Sequence, residues 1–500
     1  MSEVHADSAT PSARTPAPQL STGIAGLDEV LRGGFPTGYM YLITGNAGSG
    51  KTTLALHFLI EGRARGERVL YITLSESAKE IEHIARSHGW SLEGIDVQEI
   101  AADQQGEDEN EQTVFKASEV ELSEFRTRLE TAVDRANPDR VVVDSLSELR
   151  LLSGDSRQHR KQIAGLKGYF GKRGCTLLLL DDNTGEEPST LLHSLAHGVV
   201  ALSRATRMFG GARRKLEVVK VRALAFDDGV HDYTIHTGGL IVYPRMVGAA
   251  HRVTSSAERV SSGLPALDAL LGGGIHRGTS VALIGSSGIG KSTTALQYAL
   301  CAARRGAKAA IFLFDESLRT LELNAVGANL ASHIVNGQVT VDRIDPAELS
   351  PGEFTGRIRR AVEAGAEIIV IDGVNGYLNA MPDEQLLLLH LHDLLAYLNA
   401  SNVTTFLLVD QPGALVPDVH GQIDVSYLAD TVILYRNYEH RGEVRRALSV
   451  LKHRGATVER TLRELTLTVD GIVIGEPLKE FRGVLTGTPW LNDRDDSAKR

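Results

Sequence analysis

The stretch Gly45-Asn46-Ala47-Gly48-Ser49-Gly50-Lys51-Thr52 decides the fold. It fits the phosphate-loop pattern GxxxxGK[ST]. It follows an apolar run at 41–44 and opens a helical stretch at 52–65, which is the strand–loop–helix context the pattern requires. The glycines let the backbone curl around a phosphate without Cβ clashes. Amide N–H groups and the helix N-terminus then face the anion. In this setting Lys51 neutralises β and γ oxygens, the Thr52 hydroxyl ligates Mg²⁺, and Thr53 continues the cradle into the helix.

The same unit is written twice. STGIAGLDEVLRGGFPTG from Ser21 returns as SSGLPALDALLGGGIHRG from Ser261, a spacing of 240 residues. The spacing holds without a gap through the second loop, Gly285-Ser286-Ser287-Gly288-Ile289-Gly290-Lys291-Ser292, followed by Thr293. So long a period means a duplicated domain, not a solenoid. We expect a leader at 1–18, a first domain at 19–247, a linker at 248–258, a second domain at 259–482 and a flexible tail at 483–500. Apolar runs at 41–44, 69–73, 140–143 and 176–180 read as buried strands, as do 281–284, 309–314, 368–371 and 405–409. Helical stretches separate them, so each domain is α/β with a mainly parallel sheet flanked by helices.

Carboxylates stand at the strand ends. Asp144 closes RVVVD and Asp372 closes IIVID, positions from which a hard Mg²⁺ is held, usually through water. Asp181 and Asp410 also end strands, and for them a purely structural role is favoured. Glu76 and Glu316 follow the second strand of each unit, and Asp315 adds an acid in the second unit where the first has Ser75. Such groups position or deprotonate water, or else begin the helix that follows. Two basic pairs recur late in each unit, Lys220 with Arg222 and Lys452 with Arg454. Alternation along a strand sets each pair on one face, either as a solvated surface or as donors to a neighbouring subunit's γ-phosphate.

Composition narrows the rest. Of 500 residues, 42% are apolar and 23% charged, so wholesale disorder is excluded. The net charge of −10 gives no overall attraction to nucleic acid or anionic membrane. Two cysteines, Cys175 and Cys301, are too few for a disulfide framework. No apolar run reaches the roughly 20 residues that span a bilayer, and the leader has no apolar core. A cytoplasmic protein is expected. The acidic stretch 102–112 reads as a solvated loop.

Taken together, the paired loops, strand-end acids, K-x-R pairs and the segments SESAKEIEHIARSHGWSL, DSLSELR and NYEHRGEVRRALSVLKHRG resemble the KaiC-like ATPases of the RecA superfamily. The resemblance spans about residues 19–482. It implies two tandem RecA-like P-loop NTPase domains in a double-ring homohexamer. ATP and Mg²⁺ would lie between subunits, with Lys220 and Arg222, or Lys452 and Arg454, reaching across. It implies ATP hydrolysis in the first ring and serine/threonine autokinase activity in the second. It also implies a role in circadian-type timekeeping or signalling and a KaiB-like partner on the first domain. The family's Glu-Glu pair appears here as Ser75-Glu76 and Asp315-Glu316, and its Ser-Thr phosphorylation pair as Ser426-Tyr427, which leaves Ser426 as the phosphorylation site. Two other readings compete. One is a RecA- or DnaB-like DNA motor, for which the basic stretch 204–215 with Phe209 is the best loop. The other is a nucleotide-gated scaffold with weak catalysis.

Overall fold

The computed structural model describes residues 18–100, 117–153, 156–182, 190–207, 210–246, 257–324, 329–379, 387–411, 426–455, 457–468, 471–484 and 490–491. The chain divides into two units, the second beginning in the main at Met246. The expected acidic loop at 102–112 and nearly all of the expected leader and linker lie outside the described residues.

Each unit is built on a nine-stranded sheet with the same strand order. In the first, parallel strands run Asp96–Glu99, Val69–Thr73, Arg140–Asp144, Thr176–Asp182, Met40–Gly45, Gly198–Ala205. Arg213–Val221, Val230–His236 and Gly239–Tyr243 then continue the sheet antiparallel. In the second, the parallel order is Val339–Arg343, Lys308–Leu313, Ala366–Asp372, Thr404–Asp410, Ser280–Gly285, Thr431–His440. Glu443–His453, Arg463–Thr468 and Gly471–Pro477 form its antiparallel extension. The expected α/β class with a mainly parallel sheet is thus met in both units.

The central strands read as unbroken apolar runs because helices cover both faces. Side chains alternate between two cores. Val69 and Tyr71 join Leu54, Phe58 and Leu59 of the helix Lys51–Ala64 on one face. Leu70 and Ile72 join Phe125, Leu129, Ile163 and Phe170 on the other. In the second unit Ile311 and Leu313 pack with Leu296 and Leu300, while Phe312 packs with Phe354 and Leu391. The strand Asp96–Glu99 escaped the apolar pattern because it is an edge strand in which Val97 alone is apolar. In the expected tail, Trp490–Leu491 pairs antiparallel with Phe481–Arg482.

Candidate nucleotide-binding sites

Both loops sit at the carboxyl end of the central parallel strand and open a long helix, Lys51–Ala64 in one unit and Lys291–Arg304 in the other. The residue before each helix is a glycine in the left-handed region, Gly50 at φ 94° and Gly290 at φ 114°, where L side chains are strained. This turn aims the first amides of the helix into the loop. Tyr233 donates its hydroxyl to the Ser49 carbonyl from beneath. Asn46 bonds both backbone groups of Arg204, at 3.0 and 3.1 Å, which ties the loop to the neighbouring strand end.

Each loop lysine is buried and already partnered. Lys51 Nζ donates to the Gly45 carbonyl at 2.9 Å and meets Asp182 Oδ1 at 2.5 Å. Lys291 Nζ donates to the Gly285 and Ser286 carbonyls at 3.0 and 2.9 Å and meets Asp410 Oδ1 at 2.5 Å. Asp410, for which a structural role is expected, thus lies directly on the loop lysine. Asp181 is not its counterpart. Register sets Asp182 beside Gly45 and Asp410 beside Gly285. Asp181, one residue earlier, faces the opposite way and pairs with Arg150 at 3.0 Å. Asp182 was missed because two adjacent acids end the strand, and only register tells which faces the loop.

The expected metal residues come together. Thr52 Oγ1 donates to Asp144 Oδ2 at 3.1 Å, and the buried Tyr71 hydroxyl donates to the same oxygen at 2.6 Å. The Ser292 hydroxyl likewise lies beside Asp372 and favours its charged form. Burial raises the Asp144 carboxyl above its ordinary range. Burial raises Asp372 to about 7, reinforced by the neighbouring charges of Glu316 and Asp410. Glu76 is raised by burial and then by Asp144. Glu316 and Asp315 are raised by burial, with Asp410 adding repulsion. Glu76 Oε2 and Glu316 Oε2 are buried without a hydrogen-bond partner. Crowded carboxylates with buried, unpartnered oxygens beside a hydroxyl form a hard-oxygen donor set that fits Mg²⁺. Among the described residues no group of three or more His, Cys, Asp or Glu holds a metal by itself, so phosphate oxygens and water would complete the shell.

The basic pairs do not meet the loop of their own unit. Lys220 lies opposite Val199, which is level with Leu42, and Lys452 lies opposite Val432, level with Ala282. Both pairs are therefore set toward the amino end of the parallel strands, away from Gly45 and Gly285. Burial, Arg222 and Lys167 lower the Lys220 amine. Arg222 Nη2 donates to the Ser194 carbonyl at 2.7 Å. Lys452 Nζ donates to the Ala429 and Ser426 carbonyls at 2.7 and 3.2 Å, and Arg454 meets Asp430 at 3.3 Å. Ser426 opens a turn just before the strand Thr431–His440 and is half-buried, whereas Tyr427 is exposed. Of the basic stretch 204–215, Arg213–Lys215 lie in a strand, and Phe209 lies outside the described residues.

A phosphate loop on the central strand, an acid closing the adjacent strand and a buried lysine between them, on each of two RecA-like sheets, define a tandem P-loop ATPase. The family model for the KaiC ATPase matches residues 20–247 and 260–479, and the chain belongs to that family. It is 26% identical to the circadian clock protein KaiC3 of Synechocystis sp., over 96% of each chain. It is 28% identical to KaiC2 of the same organism, over 94% of this chain and 84% of that one. It is 25% identical to the circadian clock oscillator protein KaiC of Acaryochloris marina, over 96% and 92%. Among the described residues no helix is long and apolar enough to cross a membrane.

Proposed function

We propose that the chain binds and hydrolyses Mg-ATP at both loops, within a ring of six copies in which each copy completes its neighbour's sites. Residues 19–247 and 259–482 are the two ATPase domains, joined by 248–258. The placement of the basic pairs carries this reading. Lys220 with Arg222 and Lys452 with Arg454 are set away from their own loops, so the γ-phosphate they would neutralise belongs to another protomer. Lys51 and Lys291 would exchange a carboxylate for β and γ oxygens. Bound Mg²⁺ would neutralise developing charge on those oxygens, held by Thr52 and Asp144 or by Ser292 and Asp372. Glu76, and Glu316 with Asp315, would orient water. Its oxygen bonds to the γ-phosphorus as the bond to the β-bridging oxygen breaks, and its proton passes to the carboxylate. Burial-raised carboxyls are suited to that transfer.

In the second domain the Ser426 oxygen would also bond to a γ-phosphorus as the bond to the β-bridging oxygen breaks and ADP leaves, its proton passing to a carboxylate at that loop, making this domain a serine autokinase. The clock names of the relatives support a role in circadian-type timekeeping or signalling; to this we add a cytoplasmic location and a KaiB-like protein docking on the first domain. Size-exclusion chromatography with light scattering, with and without Mg-ATP, followed by mass spectrometry, tests assembly and phosphorylation together. A six-fold mass with ATP and phosphate on Ser426 is expected. A monomer under all conditions would remove the cross-subunit assignment, and absence of label on Ser426 would remove the kinase. Turnover stimulated by DNA would instead favour the motor.

A further inference from the structure

The two sites differ where the second domain has Asp315 and the first has Ser75, and a second difference compensates. Asp315 packs against the backbone that follows the strand Ala366–Asp372. A Cβ at Gly376 would stand 2.5 Å from Asp315 Oδ1, and one at Gly373 would overlap Oδ2. The glycine at 376, inside the helix Val374–Asn379, is unfavourable for helix formation. The Asp315 carboxylate accounts for it by filling the space.

The first domain holds the same elements in the same register. Leu74 N donates to the Asp144 carbonyl at 2.7 Å, as Phe314 N does to Asp372 at 2.9 Å. The next helix begins at Leu146, two residues past Asp144, as the other begins at Val374, two residues past Asp372. Ser147 reaches Asp182 from the position at which Asn375 bonds the backbone of Asp410. Gly376 therefore corresponds to Glu148, and Gly373 to Ser145. Where the strand end carries Ser75 in place of an acid, the helix start carries Glu148 in place of a glycine, at the position whose Cβ in the second domain would point at the Asp315 carboxylate.

We propose that Glu148 is the second carboxylate of the first domain's site, doing from the helix start what Asp315 does from the strand end. The first domain then keeps a pair of acids, Glu76 and Glu148, beside its loop. This rests on the reading that the first loop hydrolyses ATP.

The full-length chain with Lys291→Ala isolates hydrolysis at the first loop. In that background Glu148→Gln should lower kcat by about 10-fold or more, with KM for Mg-ATP within about two-fold, and Glu148→Asp should recover part of the loss. Relocating the acid, Ser75→Asp with Glu148→Gly, should restore kcat to within about three-fold of the parent. An unchanged kcat in Glu148→Gln overturns the proposal. Shared space is tested separately by melting, without turnover. Gly376→Ala should lower the second domain's midpoint by about 2–8 °C, and adding Asp315→Ser should relieve most of the drop. Independent, additive effects overturn the exchange of space. If the Lys291→Ala chain shows no hydrolysis that depends on Lys51, the functional reading fails, and the melting cycle still decides the exchange.

Discussion

Glu67→Ala should unfold the first domain at a markedly lower temperature, and two further substitutions should undo the damage. Arg140 is wholly buried in the strand that ends at Asp144. Glu67 accepts from its Nε and, at 3.0 Å, from Nη2. Nη1 donates to the Ser21 and Phe58 carbonyls at 2.7 and 2.9 Å. The guanidinium carbon lies 4.6 Å from the Phe58 ring centroid. Gly62 is glycine because a Cβ would come within 2.7 Å of Arg140 Cδ. The second domain has none of this. Register places Ile368 where Arg140 stands, and the internal repeat places Ala302 and Ala307 at the positions of Gly62 and Glu67. Ile368 and Ala302 lie in its apolar core.

Removing one partner of a buried ion pair costs about 3–5 kcal/mol, whereas replacing the whole arrangement by packed apolar groups is near neutral. Glu67 is 21% exposed, so some water reaches the vacancy and the lower figure, about 3 kcal/mol, applies. For a domain of this size that is about 6–12 °C in midpoint. The triple change Gly62→Ala, Glu67→Ala, Arg140→Ile should return to within about 4 °C of the parent. Fluorescence melting in a Trp490→Phe background reports on this domain, because Trp90 packs against its core and the chain has two tryptophans. A triple variant as labile as the single one, or a silent Glu67→Ala, would refute the reasoning.

Further outcomes follow from the sites. The carboxyl of Asp372, raised to about 7 in the folded chain against about 3.9 unfolded, makes the native state bind more protons between those values. Stability of the second domain without nucleotide should therefore fall by about 3 kcal/mol from pH 4 to pH 7 and level off above about pH 8, with Asp372→Asn removing the slope in melts across that range. Glu76→Gln and Glu316→Gln should each lower hydrolysis at their own loop by about 10²–10⁴-fold while calorimetry still detects ATP binding. Lys51→Ala should weaken ring assembly measured by light scattering, and Lys291→Ala should abolish phosphate on Ser426 measured by mass spectrometry. Both properties retained in both variants would overturn the division of roles between the domains.

The phosphate loops were legible because their chemistry is local. Eight consecutive residues carry the turn, the lysine and the hydroxyl, and the buried strands around them announce themselves as apolar runs. What stayed hidden depends on facing and register. Asp181 and Asp182 differ only in which side of the strand they take. Tyr71 reads as one more aromatic in an apolar strand, yet its hydroxyl meets Asp144 across 73 positions of chain. Arg140 reads as the polar start of a strand, although it is wholly buried. The glycines at 373 and 376 carry no pattern of their own and become meaningful only against the carboxylate that occupies their missing side chains.

The short contacts of Lys51 with Asp182 and of Lys291 with Asp410 set the terms on which a ligand enters. A bare anion that draws the amine away strands an acid in a half-buried place, with nothing to take over its charge. A triphosphate arriving with its own divalent ion settles both debts at once, giving the lysine new oxygens and the carboxylates a new cation. Sulfate and inorganic phosphate should accordingly be poor visitors, and nucleotide and metal should each sharpen the other's grip, a mutual dependence present before any neighbour joins the ring.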